Sequence, residues 1–78
     1  MEVNVVMPKL GTAMTEGIIE KWCVKEGCSI KKGEILLEVM SDKAIIEVDS
    51  QVSGILSKII KYEDETVPVG EVIAVITC

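Results

Sequence analysis

A chain of 78 residues with a formal net charge of -5 and no histidine leaves room for one small domain, residues 1–78. The acidic balance argues against nucleic acid and anionic lipid as partners, since either selects a clustered basic surface, and no apolar run approaches the roughly 18 residues of a membrane span. Hydrophobic residues make up 49% of the chain, yet it holds no Phe, one Trp and one Tyr, so the core has to come from Val, Ile and Leu, which favour strands.

Residues 2–7 open the chain as a strand, and residues 8–15 form a loop carrying Pro8 and Gly11. No signal peptide or Arg-rich transit peptide precedes the first strand. The expected location is therefore intracellular: a bacterial cytoplasm, or a mitochondrial matrix if a transit peptide has been removed. Cutting of the segment from a longer chain is the other possibility.

After the loop the sequence repeats itself. Residues 16–39 align without a gap on residues 53–76 at an offset of 37, with Gly17/Gly54, Ile18/Ile55, Lys21/Lys58, Glu26/Glu63, Gly33/Gly70 and Glu34/Glu71 identical. Two copies of one structural unit are implied. Each copy reads as a strand opening with Gly, a turn near 26–29 or 63–66, a brief extended piece ended by Gly33 or Gly70, and a closing strand. The glycines read as ordinary turn positions. The expectation is an all-β flattened barrel or sandwich of two four-stranded antiparallel sheets with internal pseudo-two-fold symmetry.

Between the copies, residues 36–40 and 44–48 read as the arms of a hairpin. A turn over 41–44 sets Val39 opposite Ile46 and Leu37 opposite Val48, two apolar cross-strand pairs for the core. Asp42 and Lys43 fall at the centre of the turn, where Lys accepts the positive φ of a primed turn poorly, so a type I turn is expected. Adding 37 to positions 41–43 reaches 78–80, which makes this hairpin the symmetry mate of the region where the chain enters and leaves.

Little in the sequence supports catalysis. Without histidine, Ser-His, Cys-His and His-metal arrangements are excluded. The carboxylates are scattered, a chain this short forms no deep cleft around them, and no glycine-rich phosphate loop is present. Cys23, Cys28 and Cys78 are an odd set without a close Cys-x-x-Cys pair, which argues against a disulfide framework or a zinc site and leaves small fillers or incidental surface thiols.

A lysine in a hairpin turn is, taken alone, a solubilising surface charge. Here it stands at the centre of a duplicated β-domain that otherwise carries no chemistry. In that setting the chain resembles the lipoyl domains of the 2-oxo acid dehydrogenase complexes over nearly its whole length. The matching residues are Met7-Pro8-Lys9-Leu10-Gly11, Met14-Thr15-Glu16-Gly17, Trp22, Lys25-Glu26-Gly27, Gly33, Ser41-Asp42-Lys43-Ala44, Glu47-Val48, Gly54 and Val67-Pro68-Val69-Gly70.

The resemblance implies that Lys43 carries lipoic acid in amide linkage, with Asp42 and Ala44 as flanking recognition residues, and that the domain is a non-catalytic swinging-arm carrier belonging to an acyltransferase chain. It implies as partners a lipoate ligase or lipoyl transferase, a thiamine-dependent 2-oxo acid decarboxylase, an acyltransferase core and dihydrolipoamide dehydrogenase, with no nucleic acid, membrane or metal. A long flexible stem suits the role, and the amide removes the lysine's charge. Leu10 and Met14, in the loop outside the repeat, are the candidate partner contacts. Residues 14–17 look more like pyruvate, acetoin or branched-chain systems than the 2-oxoglutarate type. Met40 departs from an acidic residue often found three before the lysine, and Cys28 from an Asp often found after the glycine. The alternatives are a biotinyl carrier, whose lysine lies between two methionines, and an unmodified structural or interaction module.

Overall fold

Along Glu16–Glu20 burial alternates, with Gly17 and Ile19 buried and Glu16, Ile18 and Glu20 exposed, the period-2 pattern of a sheet with one face on the core. The computed structural model describes residues 1–9, 15–41 and 44–78. Its elements are β1 Glu2–Val6, β2 Glu16–Trp22, β3 Ser29–Ile30, β4 Ile35–Ser41, β5 Ala44–Asp49, β6 Gly54–Ile59, β7 Thr66–Pro68 and β8 Val72–Thr77. They form two four-stranded antiparallel sheets, β1-β8-β6-β3 and β5-β4-β2-β7, here called the β1 sheet and the β5 sheet.

The expected all-β architecture is what the chain adopts, but the two copies of the repeat do not each make a sheet. β3, from the first copy, sits in the β1 sheet against β6, and β7, from the second, sits in the β5 sheet against β2. Each unit therefore completes the other's sheet. Between the sheets lie Met7, Ile19, Leu37, Val39, Leu56, Val67 and Ile73, all fully buried. Each such aliphatic side chain contributes about 1.5–3 kcal/mol through burial.

The offset of 37 extends to irregularities. Glu20 in β2 and Ser57 in β6 are each the extra residue of a bulge, and so are Leu36 in β4 and Ile73 in β8. A bulge lets successive residues face the same side, so Leu36 and Leu37 both enter the core, as do Ile73 and Ala74. β1 maps onto β5 at an offset of 43: Val5 pairs with Ala74 as Val48 pairs with Leu37.

The identical glutamates of the repeat tie the copies together. Glu26 Oε2 accepts the Ile59 N–H at 2.8 Å, and its mate Glu63 Oε2 accepts the Trp22 N–H at 3.1 Å. In both turns a residue takes positive φ, Gly27 at 92° and Asp64 at 70°. Their N–H groups bond the Leu56 and Ile19 carbonyls at 2.6 and 2.8 Å. Gly54 opens β6, the strand start expected of each copy, and close approach rather than a turn requires glycine there: a Cβ would lie 2.5 Å from the Thr77 carbonyl oxygen.

Candidate functional site

β4 and β5 pair from Ile35↔Asp49 to Ser41↔Ala44, with Val39 opposite Ile46 and Leu37 opposite Val48, the register expected from the sequence. Both arms are slightly longer than expected. Ser41 is half-buried and Ala44 is exposed at the head of β5. Asp42 and Lys43, the only residues between them in the sequence, lie outside the described residues, and the expected turn type with them. Leu10 and Met14 also lie outside the described residues. Of the expected site residues, Ala44 alone is placed.

The ends of the 8–15 loop are fixed by hydrogen bonds to one turn of the second copy. The Gly70 N–H donates to the Met7 carbonyl at 2.9 Å, and the Val69 N–H to the Thr15 carbonyl at 3.0 Å. β2 is antiparallel to β4, with Ile18 opposite Met40. β2 therefore enters the β5 sheet at the end where β4 leaves it, and Thr15 and Ser41 belong to that same end.

The register also aligns a row the sequence reading missed. Ile45, Met40 and Ile18 stand directly opposite one another on three adjacent strands, on the face turned away from the core. Ile45 is 55% and Ile18 37% exposed. In the next row Glu47, Glu38 and Lys21 are aligned the same way. The period-2 alternation of β4 and β5 pointed to these outward positions, but the bulge at Glu20 had to be known before β2 could be set against them.

A groove of about 450 Å³ opens between β1 and β5, lined by Val5, Leu36, Val48 and Ile76 together with Glu47 and Asp49. It includes neither Ser41 nor Ala44. Cys23, Cys28 and Cys78 are free and exposed, surface thiols rather than fillers. Among the described residues no three His, Cys, Asp or Glu side chains cluster as metal ligands, and no helix is long and apolar enough to cross a membrane.

Comparison with known proteins agrees with this geometry. The biotin/lipoyl family model, described as "Biotin-requiring enzyme", matches residues 3–76. The dihydrolipoyllysine-residue acetyltransferase component of the pyruvate dehydrogenase complex of Zymomonas mobilis is 49% identical over 76 residues, covering 96% of this chain and 17% of the relative. The succinyltransferase component of the 2-oxoglutarate dehydrogenase complex of Rickettsia bellii is 44% identical, over 91% of this chain and 18% of the relative. The acetyltransferase component of the acetoin cleaving system of Pseudomonas putida is 42% identical, over 94% and 20%. The chain thus spans about a fifth of the length of these relatives. The solution structure of the lipoyl domain of the 2-oxoglutarate dehydrogenase complex from Azotobacter vinelandii superposes with a TM-score of 0.80 at 26% identity, covering 97% of this chain and 96% of that one. With the duplicated sheets, the hairpin register and these relatives in agreement, the chain belongs to the biotin/lipoyl family and is a lipoyl-type carrier domain.

Proposed function

We propose that residues 1–78 act as one carrier domain whose Lys43 bears lipoic acid, within the acyltransferase chain of a pyruvate or acetoin type 2-oxo acid dehydrogenase complex. The observation that carries this reading is the β4–β5 hairpin, paired to its last residues Ser41 and Ala44 and leaving Asp42-Lys43 as its two-residue connection. The pairing of Ser41 with Ala44 fixes where in the fold the chain enters and leaves that connection.

Attachment joins the Lys43 Nζ, as the free amine, to the carboxyl carbon of lipoate that a ligase or transferase has activated. The amide C–N bond forms, the bond to the activating group breaks, and the nitrogen gives up a proton. When attached, lipoic acid supplies a dithiolane that takes up an acyl group with an electron pair and yields them at other active sites. The chain's part is position: Asp42 and Ala44 mark the lysine for the attaching enzyme, and Leu10 and Met14 are the residues by which the decarboxylase recognises the domain. The further partners are the acyltransferase core and dihydrolipoamide dehydrogenase, in a bacterial cytoplasm or a mitochondrial matrix. Biotin in place of lipoate is disfavoured by Asp42 and Ala44 as the neighbours of Lys43 and by relatives whose names specify dihydrolipoyllysine.

The test is intact mass after incubation with a lipoate ligase, ATP and lipoate. The wild-type chain gains one lipoyl group and Lys43→Gln gains none. A gain retained in the variant refutes the assignment.

A further inference from the structure

The internal duplication provides a control for every outward residue, because each position on the β5 sheet has a counterpart on the β1 sheet. The row Ile45–Met40–Ile18 corresponds to Glu2–Thr77–Ile55, aligned by the same pairings. The apolar row is thus confined to the sheet that carries the hairpin. In the adjoining row Glu47 and Glu38 correspond to Asn4 and Val75, and the bulge residue Glu20 corresponds to Ser57. At none of these three positions does the β1 sheet hold a charge.

The equivalent face of the β1 sheet is thus built without these acids, and one pair on the β5 sheet opposes its stability. Glu38 and Glu47 stand directly opposite each other, an arrangement of like charges that destabilises a sheet, and Lys21 lies opposite only Glu38. An apolar row with acids beside it, placed at the hairpin's end and lacking from the equivalent face of the β1 sheet, has the composition of an interaction surface.

We propose that the outer face of the β5 sheet, comprising Ile18, Met40, Ile45, Glu20, Glu38 and Glu47, is the docking surface for the enzyme that acylates Lys43, and that this enzyme meets it with an apolar patch rimmed by Lys and Arg. The inference rests on the reading of Lys43 as the modified residue. Charge complementarity selects the basic rim. Geometry selects the attaching enzyme over those that act later: amide formation takes place at Nζ, so its active site must come within one lysine length of the hairpin and cover the sheet beside it. Later enzymes work at the far end of a longer arm.

The experiment measures kcat/KM for lipoylation by a lipoate ligase with ATP, read by intact mass, at low and high salt. The Glu38→Gln/Glu47→Gln variant relieves the like-charge pair and keeps the fold, Met40→Thr reproduces the β1-sheet residue, and Thr77→Ala is the control on that sheet. Both β5-sheet variants fall at least fivefold below wild type, the charge variant's deficit shrinks as salt screens the interaction, and Thr77→Ala stays within twofold. A loss below fivefold in either β5-sheet variant, or an equal loss in the control, overturns the proposal. So does unchanged attachment accompanied by slower acyl loading at a decarboxylase, which would make that enzyme the occupant. Failure of the wild-type chain to gain mass at Lys43 instead refutes the underlying reading.

Discussion

Cys28 and Glu65 are counterparts in the two copies, and the second shows what the first lacks. In the turn that holds Asp64, the Tyr62 N–H donates to the Glu65 carboxylate, and the Glu65 N–H to the Tyr62 carbonyl at 3.3 Å. In the first copy the backbone bond survives, Cys28 N–H to Lys25 carbonyl at 3.1 Å, but a thiol offers the Lys25 N–H only a weak acceptor. Cys28→Glu restores the second bond. It should stabilise the domain by about 0.5–1 kcal/mol, raising Tm by roughly 2–8 °C for a chain of this size. An unchanged Tm in calorimetry would show that the turn needs no side-chain acceptor. At this scale the sequence was partly legible: the identity of Glu26 and Glu63 was plain, but their backbone partners Ile59 and Trp22 were not. Those partners lie in the other copy, and the interlocking that brings them near leaves no trace in residue order.

Among the elements, the 8–15 connection has the least structural reason for its length. It is the longest in the chain and lies outside the repeat, so the symmetry of the sheets does not require it. The described residues on either side of its middle are held to 69–71: the Gly70 and Val69 N–H groups donate to the Met7 and Thr15 carbonyls, and the Met7 N–H donates to the Glu71 carbonyl at 2.9 Å. Long connections on a rigid β scaffold more often carry recognition than packing. Replacing Thr12, Ala13 and Met14 by Gly-Ser-Gly should leave folding and lipoylation intact while lowering kcat/KM for acyl loading by the cognate decarboxylase about tenfold, the equivalent of about 1.4 kcal/mol of transition-state stabilisation. Unchanged loading would reduce the loop to a connector. The strands themselves were legible from β-branched composition and from the turn-favouring residue types Ser41 and Asp42 between the two arms. The bulges were less so, although the adjacent apolar pair Leu36-Leu37, both buried, breaks strict alternation where one occurs.

At the scale of the whole molecule, the pseudo-two-fold relates the hairpin to the chain ends. Ser41↔Ala44 corresponds to Cys78 and Met1, whose backbones exchange hydrogen bonds of 2.9 and 3.0 Å. That correspondence is carried by the offset of 37 in the sequence, because position 78 is the mate of position 41. What the offset could not supply is that the two equivalent ends differ in the surface beside them, since that depends on strand order and register. The difference is testable by building the missing turn. A head-to-tail cyclised chain, with Asp-Lys inserted between Cys78 and Met1, closes two strands already in hairpin register with the same two residues that connect β4 to β5. Closure should also raise Tm, by removing freedom from the unfolded chain. If turn geometry alone directs attachment, the new lysine and Lys43 are lipoylated at equal rates. The acidic, apolar-striped face exists only on the β5 sheet, so peptide mapping of the cyclised chain after limited reaction should find Lys43 modified at least fivefold faster than the inserted lysine. Adding Thr77→Met and Glu2→Ile, which copy the Met40–Ile45 pair onto the β1 sheet, should narrow that gap. Equal rates at the two lysines in the first variant would show that the hairpin needs no neighbouring surface to be recognised.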